Sequence, residues 1–180
     1  MFESIIIMKV GPHSGMNLEK IIQSKLIEER IHGVHYWGYS GVFCMPKQTQ
    51  QFCKWAKKTY GDYPTLILLE TKSAYESNEV GLVKSFSVDG INFKKFDKPV
   101  QLQGAKFSFV GTNIREIENF DLSKYLVFGG KNHLLPIKKH LKFRVNKCFA
   151  VLNEKQSLSS NCVRALAVDL HEPFAIWLKD

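Results

Sequence analysis

The chain has 180 residues, with a 44% hydrophobic fraction and a 23% charged fraction. Those values suit one folded domain and exclude a disordered or fibrous chain. The formal net charge of +8 leaves open either an ordinary basic surface or one that attracts phosphates, nucleotides or nucleic acid.

The longest purely apolar runs, residues 5–8 and 66–69, are strand-sized. A helix that spans a bilayer needs about 20 apolar residues, so no membrane partner is expected. Glu3 precedes the first apolar run and no small-residue cleavage site follows, so no signal peptide is read. Cys44, Cys53, Cys148 and Cys162 form no CxxC pair. Free thiols in a cytoplasmic protein are therefore expected, the first three as small core residues.

Residues 3–10 are apolar and β-branched, and predict a buried strand. The turn cluster Gly11-Pro12-His13-Ser14-Gly15 follows. Asn17 suits a helix N-cap, Leu18, Ile21, Ile22, Leu26 and Ile31 repeat at helical spacing, and Gly33 supplies a stop. Glu28 and Glu29 fall on the expected polar side. Residues 34–46 are aromatic and glycine-broken, and predict a bulged strand or a strand running into a loop. Thr49 is a candidate cap for a second helix to Tyr60, ended by Gly61, with Phe52, Trp55 and Ala56 inward. Residues 65–71 predict another buried strand. This alternation is the pattern of an α/β layer.

A more antiparallel part begins near Leu82. Residues 82–88 and 91–96 flank Asp89-Gly90, which predicts a two-residue type I′ hairpin. Residues 106–110, 124–128 and 142–152 predict further strands, with Lys147 breaking the alternation of the last. Glu116 and Glu118 are placed in a loop, and residues 154–161 in another. Pro173 divides residues 163–178 into two short strands, or a short helix and a strand. The expected fold is a single α/β or α+β domain with a central mixed sheet over residues 1–180. A subdivision into 1–80, 81–153 and 154–180 is compatible with this reading.

Three segments could carry chemistry. In the first, Ser14, Gly15 and His13 lie between strand and helix, where backbone N–H groups can hold an anion. The loop matches neither GxxxxGK[ST] nor GxGxxG, and Pro12 removes a donor. In the second, Trp37 and Tyr39 could form a slot that stacks a base, with His35 as acid or base. If the segment is a strand, His35, Trp37 and Tyr39 share one face, and the alternative to a slot is plain core. In the third, Gly129, Gly130, Lys131 and His133 could cradle phosphate. They open a stretch, residues 131–153, that contains no Asp or Glu. Lys131, Lys138, Lys139, Lys142, Arg144 and Lys147 there make a footprint for a polyanion, or simply a solvated basic hairpin.

No clustered metal ligands and no GxSxG elbow are present, and no cofactor or metal is expected. If the three loops meet at one edge of the sheet, the expected function is binding of a nucleotide or nucleic acid. His13 or His35 would then serve any chemistry on it. Two alternatives stand beside it. One is a non-enzymatic protein-interaction module, such as a virus- or mobile-element-encoded inhibitor of a host complex. The other is a small transferase or phosphodiesterase acting on a nucleotide-derived molecule. A deep opening lined by Trp37 and a histidine favours a ligand site; a buried Trp37 beneath a flat basic face favours an interaction module.

Overall fold

The computed structural model describes residues 1–12, 16–71, 81–102, 104–141, 146–153 and 162–180. Among the described residues the fold is mixed α/β, with nine strands in one sheet and three α-helices. The elements in chain order are β1 (Ser4–Val10), α1 (Leu18–His32), β2 (His35–Tyr39), α2 (Pro46–Tyr60), β3 (Thr65–Glu70), β4 (Leu82–Ser87), β5 (Lys94–Gln101), β6 (Phe107–Asp121), β7 (Tyr125–Val127), α3 (Ile137–His140), β8 (Lys147–Leu152) and β9 (Cys162–Lys179).

The sheet order is β2-β6-β9-β3-β1-β8-β7. β1 and β3 are parallel, and the other pairs are antiparallel. β4 joins the far end of β9, and among the described residues β5 pairs with β4 alone.

Helix α1 starts and stops where its sequence signals lie. Asn17 accepts a hydrogen bond from the Lys20 amide at 3.0 Å, and Gly33 takes a left-handed φ of 74°. Its inner face is shorter than the apolar spacing suggests, however, because Ile31 is half-exposed at the helix end. Helix α2 starts three residues before Thr49. Pro46 fills its first turn, and the Gln48 side chain accepts from the Met45 amide at 3.1 Å. Thr49 is instead buried inside the helix and donates to the Cys44 carbonyl.

The last strand corrects the reading of Pro173. β9 is one 18-residue strand in the middle of the sheet. Its pairing with β6 jumps from Ala175↔Phe109 to Leu170↔Gly111, so residues 171–174 bulge out of the ladder. Proline has no N–H to give, and a bulge asks for none. β6 is likewise longer than expected, running 15 residues. Its pattern is broken by register shifts and by Asn113 at φ 57°, and Glu116 lies within it, paired to Arg164.

These bulges bend the long strands, and the sheet curls. β2 and β8 lie five places apart in the order, or about 24 Å laterally in a flat sheet. Yet the Lys147 ammonium donates to the Ser40 carbonyl, just past β2, at 2.8 Å. The concave face holds both long helices over Ile6, Leu66, Leu68, Phe109 and Val168. The other face is covered by α3 around Ile5, Ile67 and Ile137, and by the β4–β5 hairpin around Tyr36, Val83 and Val110.

The hairpin itself has a longer connection than two residues. Phe86 pairs with Lys94, so β5 begins three residues later than the sequence reading placed it. The reason is Asp89. Its carboxylate accepts from the amides of Ile91 and Asn92, at 2.8 and 2.7 Å, and from the Ser87 hydroxyl and the Asn92 side chain. This side chain builds a turn of its own in place of the ladder. The four hydrogen bonds also hold the Asp89 carboxyl far below the usual range.

Candidate functional site

The aromatic segment is core. Trp37 is 3% exposed, Tyr39 is buried, and His35 is fully buried. The Trp37 indole donates to His35 Nδ1 at 3.0 Å, which places the His35 proton on Nε2. That nitrogen makes no hydrogen bond, and the Glu29 carboxylate lies 3.7 Å away. Burial, helped by the nearby Lys25 charge, pushes the His35 pKa down to about 4. The ring is thus neutral near pH 7 and sealed from substrate. Tyr39 stacks on Phe109, and its hydroxyl donates to the Cys44 carbonyl at 2.6 Å. Gly38 is required because a Cβ there would lie 2.8 Å from Ala105.

The expected base slot at Trp37 and Tyr39, and the expected acid–base role of His35, are corrected on these grounds. A strand covered on both faces turns every ring into packing. Glu28 and Glu29 of α1 are also not solvated bystanders. Glu28 pairs with the buried Lys25 at 2.8 Å and accepts from the Tyr36 amide, and Glu29 accepts from the Asn113 amide. They tie α1 to β2 and to the bulge of β6.

His13, Ser14 and Gly15 lie outside the described residues, as do Lys142 and Arg144. The remaining basic positions do not form one patch. Lys147 is 7% exposed and sits 5.2 Å from the Tyr39 ring, so it closes the curl and is no part of the surface. Its burial lowers the ammonium pKa. Lys138 and Lys139 project from α3 on the opposite sheet face from α2. Lys131 and His133 are exposed in the loop after β7. There Gly129 and Gly130 adopt left-handed φ of 86° and 69°, and the Gly129 amide donates to His133 Nδ1.

A different element presents a cationic surface. Helix α2 carries Lys47, Lys54, Lys57 and Lys58 and no acid. It buries Pro46, Thr49, Phe52, Cys53 and Ala56. At about 100° per residue, Lys47, Gln51, Lys54 and Lys58 form one stripe directly opposite that buried face, and all four are exposed. Lys57, off this stripe, is the one that approaches Asp62, at 4.0 Å.

The stripe has neighbours on both sides. On one side Trp55 stacks on Phe128 at 4.2 Å, and Phe128 meets His133, which brings the Lys131 loop alongside. On the other side Gln50 donates to the Val88 carbonyl at 3.0 Å, which brings the β4–β5 turn alongside. Sequence reading missed this face because it followed only the ends and the inward apolar positions of α2. Their sign was legible: lysine, glutamine, lysine, lysine at i, i+4, i+7 and i+11.

A shallow depression of about 500 Å³ lies elsewhere, along the outer side of α1 beside Lys20, Gln23, Ile27 and Gln101. Among the described residues no three His, Cys, Asp or Glu side chains are grouped to hold a metal, and no helix is long and apolar enough to cross a membrane. Cys44, Cys53 and Cys148 are buried thiols with pKa raised by burial, so they lack nucleophilic character, while Cys162 is exposed. Comparison with protein families, with curated proteins and with solved structures gave no match.

Proposed function

We propose that this protein is a nucleic-acid-binding module that works by contact and carries out no reaction of its own. One observation carries the reading: the outward stripe of α2 presents Lys47, Gln51, Lys54 and Lys58 without a neutralising acid on the helix. Each turn of α-helix rises about 5.4 Å. The stripe therefore offers donors at a spacing that suits successive phosphates of a backbone. The Lys131 loop extends the surface on one flank, and the net charge of +8 favours encounter with a polyanion. The sealed state of His35 and Trp37 takes those two side chains out of reach of a substrate.

The test is fluorescence anisotropy with a short DNA duplex over a range of salt. Binding should weaken linearly on a log–log plot. The triple change Lys47→Glu, Lys54→Glu and Lys58→Glu should flatten the slope by about 3. Tight binding to an acidic protein surface with none to DNA or RNA would replace this reading.

A further inference from the structure

The β4–β5 turn displays a large apolar side chain that the fold does not need. Ile91 is 80% exposed, and Val88 and Phe93 beside it are also exposed. A lone exposed apolar residue on a loose loop would carry no weight. This turn is not loose. The Asp89 carboxylate binds the Ile91 and Asn92 amides, and the Ser87 hydroxyl also accepts from the Gly90 amide at 2.9 Å. Gly90, at φ 81°, lies so close to Trp177 that a Cβ would come within 3.0 Å of the indole. The Lys179 ammonium sits 5.7 Å from the Phe93 ring centre. The Gln50 side chain holds the Val88 carbonyl to α2. The backbone is pinned from several sides, and Ile91 is the most exposed of the turn's three large apolar side chains.

Its setting narrows what it meets. Lys94 and Lys95 follow the turn directly and are exposed, and Gln51 of the α2 stripe is next to Gln50 in the chain. Lysine is depleted in protein–protein interfaces. A rigid apolar point followed in the chain by two exposed lysines, next to a phosphate-spaced cationic stripe, matches instead how proteins unstack a base step. Such proteins push an aliphatic side chain between neighbouring base pairs while cations hold the flanking backbone.

We propose that Ile91 is a wedge that enters a base-paired nucleic acid and opens one base step. This rests on the nucleic-acid reading above and names its ligand class as duplex. Lys94 and Lys95 neutralise phosphates on either side of the opened step, and Asp89 keeps the wedge in position without touching the ligand.

The test uses a short A·T-rich DNA duplex carrying 2-aminopurine, whose fluorescence rises on unstacking. Wild-type protein should raise it on binding. Ile91→Ala should abolish the rise while weakening affinity by about tenfold at most and leaving the salt slope unchanged. Because Ile91 is exposed, thermal unfolding of the variant should match wild type, which excludes a folding artefact. Ile91→Leu, which keeps an apolar point, should restore most of the rise. Duplex binding with no rise, or an equal rise from Ile91→Ala, overturns the wedge and leaves the α2 interface standing. No duplex binding at all overturns both.

Discussion

Strand β2 and helix α2 are consecutive elements with opposite fates. β2 carries the residues that look chemical: a histidine, an indole and two phenols within five positions. α2 reads as a routine amphipathic helix. The structure reverses their roles, because β2 is covered by α1 on one side and by the β4–β5 hairpin on the other, whereas α2 has one face in water. A reactive side chain is useful only where solvent or ligand can reach it. Coverage, which depends on residues far away in the chain, decides that more than composition does.

The comparison breaks most directly at Trp37. Trp37→Ala should cost about 3–5 kcal/mol of stability in urea unfolding, as loss of a buried aromatic does. A variant of unchanged stability that no longer bound nucleic acid would return the indole to the surface.

A slightly smaller effect comes from His35. Its folded pKa of about 4 lies below the ordinary 6.5. The unfolded chain therefore takes up the proton first as pH falls. The stabilisation is complete above about pH 6.5 and is lost progressively between 6.5 and 4, amounting to about 3 kcal/mol at most. Urea midpoints measured through this window should fall for the wild type and stay flatter for His35→Gln.

The third prediction tests the other half of the comparison. Lys54→Glu with Lys58→Glu should reduce duplex affinity by about tenfold or more at low salt yet leave the urea midpoint within about 0.5 kcal/mol of wild type. A large loss of stability would mean that the stripe is structural.

The smallest effect is local. Asp89→Ala should speed hydrogen exchange at the Ile91 and Asn92 amides, read by NMR, with little change in the global midpoint.

Much of the fold was legible where local signals act alone. Asn17 and Gly33 mark α1, Gly61 ends α2, and the apolar runs of β1 and β3 are unbroken. Legibility failed where distant residues override local ones. β6 was cut short because Asn113 turns left-handed at a bulge and the strand beyond carries exposed acids. β9 was divided at Pro173 because only its partner β6 shows that no N–H is wanted there. The basic stretch after Lys131 read as one surface. Its parts separate because Lys147 alternates inward, under Tyr39, while Lys138 and Lys139 ride on α3. Of the candidate site, the loop at Lys131 was visible, whereas the α2 stripe needed its buried face to be known first.

The placement of β9 has a consequence for how this chain is made. It is the last described strand in sequence, yet β3, β4 and β6 all hydrogen-bond to it. While residues 162–179 are still being synthesised, those strands have no shared partner and the curl cannot close. Productive folding must then wait until residues 162–179 have been made, and such non-local pairing is slow. Until then the earlier strands present open edges, so a nascent chain stalled before Cys162 is the form most exposed to aggregation and to chaperone capture.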